Sequence, residues 1–296
     1  MSTRNRVGPH PSPSSAGGGR GRNVRRTVAV AMVTAASCLA SLGVGSPAHA
    51  SVAGDFSFVG HRGYPAGRYT ENTSPSFENA YRHGAPAVET DIRLTADDRF
   101  VVMHDQFLRR TTTCRGAVDR RTLHWIQRRC RGQVGHERIP GLSDYVSWAA
   151  SHDMNIVIEI KVDPLNRWTP NDFARIDRLI NREGMAGRVH LLSFSAPLLE
   201  MAKGVDPAFF TDWIVPAGAD LTRVEQVDTW TSSVSVLSAA LDDTNVAQLH
   251  AEGVEVFGRD TDLKSDWAHL EAVGADGLLV DDPPGYETWE SSSSGG

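Results

Sequence analysis

From residue 56 to residue 290, short apolar runs alternate with longer segments whose apolar positions recur every three or four residues. The runs predict strands over Phe56–Gly60, Ala87–Leu94, Phe100–His104, Asn155–Ile160, Val189–Ser193, Phe209–Val215, Val234–Leu237, Val254–Gly258 and Gly277–Val280. The amphipathic segments predict helices over Ser74–His83, Leu142–His152, Pro170–Glu183, Pro197–Gly204, Asp243–Glu252 and Asp266–Val273. Glycines at 84, 184, 204, 253 and 274 sit where these helices should stop. Strands alternating with helices predict an α/β fold, a TIM (β/α)8 barrel, which takes ~250 residues. A doubly wound sheet is the competing fold. It is disfavoured because no glycine-rich phosphate loop follows the first strand.

The first fifty residues break this pattern. They carry six arginines (Arg4, Arg6, Arg20, Arg22, Arg25, Arg26) and no Asp, Glu or Lys. Arg25-Arg26 precede an apolar stretch, Val28 to Leu42, that is short for a membrane span of ~20 residues. Ala48-His49-Ala50 offers the small residues of a cleavage site. Residues 1–50 are therefore read as a secretory signal, by the general or the twin-arginine route, and the chain as an exported protein. A retained N-terminal anchor is the competing reading. Removing the leader leaves 24 basic against 36 acidic residues, a formal charge of −12. That balance argues against a nucleic-acid partner and against a polybasic lipid anchor. The Ser/Gly tail, 291–296, reads as flexible. Cys38 falls within the leader, so Cys114 and Cys130 remain, the number for one disulfide in an exported protein. Two free thiols are the alternative.

Chemistry-bearing residues cluster at the ends of predicted strands. His61 and Arg62 follow the first strand between glycines. In a barrel, that places them at the C-terminal mouth, where barrel enzymes do their chemistry. Glu89 and Asp91, two apart in one strand, share a face. Buried together they would repel each other, and a hard cation such as Ca²⁺ or Mg²⁺ relieves that. The competing reading is a half-exposed strand with solvated acids. The next apolar run follows too closely for a crossover helix, so the two runs should form a hairpin. A symmetric turn about Ala96-Asp97 sets Val102 opposite Asp91 and His104 opposite Glu89. Glu159 interrupts another apolar strand and is a candidate third oxygen ligand, with Lys161 on the same face as a candidate phosphate partner. An edge ion pair is the alternative there. Two histidines suit a general acid and a general base. Together the set points to metal-assisted phosphodiester chemistry.

The chain resembles the glycerophosphodiester phosphodiesterase family. The resemblance rests on His61-Arg62-Gly63, Glu71-Asn72-Thr73, Ser76-Phe77, Gly84-Ala85, Glu89-Thr90-Asp91-Ile92 and Val102-Met103-His104-Asp105. Further matches are Arg110-Thr111-Thr112, Glu159-Ile160-Lys161, Ser193-Phe194 and Gly274-Ala275-Asp276-Gly277 with Asp281 and Pro283. It implies a TIM barrel over residues 51–290, with a small insertion after the second His motif, about residues 106–140, that holds both remaining cysteines. It implies His61 and His104 as the acid/base pair and Glu89, Asp91 and Glu159 as ligands of a divalent cation. Arg62 and Lys161 would bind the phosphate, and Glu71 and Asn72 would support the first loop. The implied reaction is hydrolysis of a small glycerophosphodiester to glycerol 3-phosphate and an alcohol. Phe257-Gly258-Arg259-Asp260 departs from the family's usual Trp-Thr pair, which leaves the substrate-side wall less defined. Phospholipase D-like action on lysophospholipid or sphingomyelin, cleavage of a teichoic-acid-like polymer, and non-catalytic capture of phosphodiesters are the competing functions.

Overall fold

A computed structural model describes residues 58–293 except 163, 164, 166, 220, 222–228 and 260. The expected leader, residues 1–50, lies outside the described residues, as do Phe56 and Ser57 of the first predicted strand. The strands are β1 (Phe58–Gly60), β2 (Ala87–Leu94), β3 (Phe100–Val102), β4 (Asn155–Ile160), β5 (Val189–Ser193), β6 (Phe210–Ile214), β7 (Ser233–Leu237), β8 (Glu255–Arg259) and β9 (Gly277–Val280). The helices are α1 (Ser74–Arg82), α2 (Leu123–Arg129), α3 (Leu142–Ser151), α4 (Pro170–Arg182), α5 (Ala196–Val205), α6 (Asp243–Ala251), α7 (Lys264–Ala272) and α8 (Pro283–Ser293).

Eight of the strands run parallel in the order β1-β9-β8-β7-β6-β5-β4-β2, and the β1–β2 pairing closes the ring. The fold is a TIM barrel. Strand alternation sends Val59, Ala87, Val157, Leu192, Ile214, Phe257 and Leu279 into its centre. The opposite set, including Val88, Ile156, Ile158, Leu191, Val234 and Val256, packs under Phe77, Tyr145, Phe173, Leu249 and Leu270 of the helices. Each fully buried side chain of this kind is worth about 1.5–3 kcal/mol. Local signals start the helices where expected. Ser76 Oγ accepts from Thr73 N (3.1 Å) at the head of α1, and Asp172 Oδ2 accepts from Thr169 N (3.0 Å) at the head of α4.

β3 is not a barrel strand. β1 pairs with β2 only through Val88, and β3 takes the same edge of β2 from Ile92 onward, running antiparallel. The register differs by one from the symmetric turn expected from sequence. Val102 faces Ile92, not Asp91, and Phe100 faces Leu94. The loop has three residues, 96–98, closed by Thr95 N donating to Arg99 O (2.9 Å), with Asp98 left-handed at φ 51°. β3 also stops at Val102, so His104 stands beyond the strand and does not face Glu89 across it.

Residues 106–140 form a small lobe with its own apolar cluster, including Leu108, Val118, Ile126, Cys130 and Ile139. Cys114 and Cys130 form a disulfide within it, with Cα atoms 5.3 Å apart. α2, absent from the sequence expectation, is too short for a clear period; Thr122 Oγ1 caps it by accepting from Trp125 N at 3.1 Å. α8 corrects the expected tail. Residues 291–293 are helical, because Tyr286 and Trp289 dock against Trp267, and Tyr286 also packs on Phe58. No helix among the described residues is long and apolar enough to cross a membrane.

The disulfide closes a loop whose entropy in the unfolded chain corresponds to about 3 kcal/mol. Replacing Cys114 and Cys130 by Ser should therefore lower the urea midpoint, with a denaturant slope equal to or steeper than that of wild type because the freed unfolded chain exposes more surface. Equal midpoints for variant and wild type would contradict that.

Candidate active site

The chain leaves β1 through a tight loop. His61 N donates to Val280 O at 2.9 Å, anchoring the turn to β9. Gly63 has φ 82°, and a Cβ there would fall 2.6 Å from the Ser76 carbonyl carbon, so no other residue fits. Arg62 (φ 57°) and Asn72 (φ 60°) are left-handed without being glycine, at a cost of about 1 kcal/mol each. The contorted backbone turns the Arg62 N–H onto Glu89 Oε2 (2.8 Å) and lets Asn72 N donate to Arg62 O (3.0 Å). Asn72 then reaches β2. Its Nδ2 donates to Asp91 Oδ2 (2.6 Å), and its Oδ1 accepts from Thr90 Oγ1 (2.7 Å) and Asp91 N (3.1 Å).

Glu89 and Asp91 point into the barrel from β2. Glu159, the register partner of Asp91, does so from β4. All three are buried, with carboxylate oxygens within 4.8 Å of one another. Burial and the neighbouring Asp91 push the Glu89 carboxyl up to about 8. Burial and Asp91 also raise Glu159. Asp91 is desolvated too, but Lys161 and Arg62 outweigh that and hold it at about 2. Lys161 Nζ lies 2.6 Å from Glu159 Oε1 and 2.8 Å from Asp91 Oδ1, the latter contact close but not aligned as a hydrogen bond. Arg62 Nε is 3.5 Å from Asp91 Oδ2. These cations serve Asp91 and Glu159, whereas Glu89 Oε1 is buried with no hydrogen-bond partner. A buried, unpartnered carboxylate oxygen beside two further carboxylates matches the donor set of a hard cation. The triad can hold a metal ion.

The histidines flank the acids, and each has its Nδ1 engaged by a carboxylate. His61 Nδ1 lies 2.6 Å from Asp281 Oδ1, and His104 Nδ1 lies 2.7 Å from Asp105 Oδ1. Arg62 Nε approaches His61 Nε2 at 3.1 Å, a contact that only the neutral ring can accept. Desolvation pulls the His61 pKa down, but the Asp281 bond and the Glu89 charge more than reverse this and lift it to about 9. Desolvation dominates at His104 and lowers it.

The structure brings together every site residue expected from sequence. Glu71 and Asn72 sit on the first loop, but Asn72 bonds Asp91 directly, and Glu71 accepts from Arg62 Nη1 (3.1 Å) and from Arg110. Asp105, Arg110 and Asp281 join the site without a role legible in the sequence, although all three fall within the family motifs. Arg259, where the family pattern lapses, is buried; its Nη2 donates to Val215 O (2.8 Å), and its guanidinium lies over the exposed Phe194 ring. A cavity of about 560 Å³ opens at the opposite end of the barrel, among Val189, Phe210, Ser232 and Glu255, and none of the site residues lines it. That face of a TIM barrel serves stability, not chemistry.

The charges set a pH dependence for the metal-free chain. Glu89 (about 8, ordinarily 4.5) and His61 (about 9, ordinarily 6.5) both bind protons more tightly folded than unfolded. Both contributions favour the fold at low pH and are lost as pH rises through those windows. In chelator, the melting temperature should fall between about pH 5 and about pH 9. A flat or rising profile would contradict this.

The profile of the Glycerophosphoryl diester phosphodiesterase family matches residues 61–284. A glycerophosphodiester phosphodiesterase of Caldanaerobacter subterraneus subsp. tengcongensis is 27% identical over 237 residues, covering 76% of this chain and 93% of that protein. The crystal structure of a glycerophosphoryl diester phosphodiesterase assigned in Silicibacter pomeroyi superposes with a TM-score of 0.71 at 21% identity, over 81% of this chain and 94% of that one. An Oleispira antarctica phosphodiesterase, solved with the product sn-glycerol-3-phosphate, superposes with a TM-score of 0.70 at 22% identity, over 79% and 96%. With the barrel, the acidic triad and a family match that spans the whole site from His61 to Pro283, the chain belongs to the glycerophosphoryl diester phosphodiesterase family and is a phosphoric diester hydrolase.

Proposed function

We propose that the chain hydrolyses small glycerophosphodiesters to glycerol 3-phosphate and an alcohol, with a divalent cation, Ca²⁺ or Mg²⁺, held by Glu89, Asp91 and Glu159. The observation that carries this reading is the buried triad with its unpartnered Glu89 Oε1, flanked by two carboxylate-oriented histidines. When bound, the cation supplies charge neutralisation for a phosphodiester oxygen. Arg62 and Lys161 bind the phosphate; Arg62 is already fixed by Glu71 and can offer its guanidinium edge to phosphate oxygens. One histidine takes the proton of the attacking hydroxyl, and the other gives a proton to the leaving alkoxide. Asp281 and Asp105 fix the ring orientations through Nδ1, which leaves His104 Nε2 for this work, and His61 Nε2 takes part once Arg62 Nε turns from it to the phosphate. Residues 1–50 act as an export signal, a reading supported by the Cys114–Cys130 disulfide, which suits an oxidising compartment.

A second substrate reading has an observation in its favour. Phe194 and Leu263 are exposed apolar side chains on segments that follow the parallel strands β5 and β8, at the C-terminal end of the barrel. Such a rim suits a substrate with an acyl chain, such as a lysophospholipid.

On glycerophosphocholine with Ca²⁺ or Mg²⁺ supplied, His61→Ala and His104→Ala should each lower kcat by about 100-fold or more. EDTA should abolish turnover. Near-wild-type turnover in either variant would overturn the two-histidine scheme. Choline release from glycerophosphocholine against lysophosphatidylcholine decides between the substrate readings.

A further inference from the structure

We propose that Arg110 is a positioning residue that ties His104 to the Arg62 side of the site, so that both histidines meet one phosphodiester. The inference rests on the hydrolase reading above. His104 needs such a tie because it is not carried by a barrel strand. It stands beyond β3, which pairs with β2 over only three residues, and its backbone is held by Arg93 Nε donating to His104 O at 2.7 Å. His61, in contrast, follows β1 inside the closed ring.

Arg110 comes from the lobe and closes that gap with both edges of its guanidinium. Towards His104, Nε donates to Asp105 Oδ2 (2.6 Å) and Nη2 to Asp105 Oδ1 (3.0 Å), and Asp105 Oδ1 holds His104 Nδ1. Towards Arg62, Nη1 donates to Glu71 Oε2 (2.7 Å) and Nη2 to Glu71 Oε1 (2.7 Å), and Glu71 Oε1 also accepts from Arg62 Nη1. The result is one unbroken path, His104–Asp105–Arg110–Glu71–Arg62–His61–Asp281. Two bidentate contacts from one planar group fix distance and angle together, which an ammonium cannot do. The Arg110 side chain is 45% exposed, and ion pairs so exposed add little to stability. The geometry therefore serves placement more than folding.

Arg110→Ala should lower kcat by about 100-fold, the scale of a misplaced catalytic group, with KM and melting temperature close to wild type. Arg110→Lys keeps the charge but not the fork and should recover only part of the loss. In a His104→Ala background the Arg110→Ala change should add less than about threefold, because its effect runs through His104. A kcat within about threefold of wild type for Arg110→Ala, or its full loss persisting on top of His104→Ala, would overturn the proposal. If the wild type turns over no glycerophosphodiester, the hydrolase reading fails, and the histidine ¹⁵N spectrum decides this one. Arg110→Ala must then shift or broaden the His104 Nδ1 resonance and leave His61 in place; an unaltered His104 signal overturns it.

Discussion

The mutual repulsion of Glu89, Asp91 and Glu159, buried in one layer of the barrel, is the constraint from which the surrounding architecture follows. Three carboxylates away from water are costly unless each negative charge is met. Lys161 meets two of them and Arg62 leans on one. Asn72 donates to Asp91, and the Arg62 backbone N–H donates to Glu89. Two left-handed residues are tolerated because only that backbone path delivers these donors. What remains unmatched is one oxygen of Glu89, and that remainder leaves the triad able to hold a metal ion.

The same layout separates scaffold from chemistry. The closed ring of parallel strands fixes the acids, Lys161 and His61 to one another through strand register. His104 lies outside that ring, on a hairpin that exists because β1 ends early and leaves an edge of β2 unpaired. A second support system was therefore needed, and the disulfide-bonded lobe supplies it through Arg110.

Much of this was legible in the sequence, for physical reasons. Period-two alternation placed Glu89 and Asp91 on one face, and β2, β4, β5 and β9 have the bounds their apolar runs predicted. The hairpin register was missed because it turns on Asp98 adopting a left-handed conformation, which no hydrophobic pattern encodes. Residues 291–293 read as a flexible tail because Ser dominates there; their helix is held by Tyr286 and Trp289, several residues earlier. The role of Asp281 is not legible in the sequence, since its partner His61 lies 220 residues away and only barrel closure joins them. Arg110 has one near partner, Asp105, but its bridging role is hidden because the other, Glu71, is 39 residues distant.

Calorimetric titration of Ca²⁺ and Mg²⁺ into chelator-stripped protein measures whether a cation completes the acidic triad. One ion should bind per wild-type chain, with markedly weaker binding in Glu89→Gln, whose buried amide cannot replace the carboxylate. Absence of binding to wild type, or equal affinity in the variant, would contradict it.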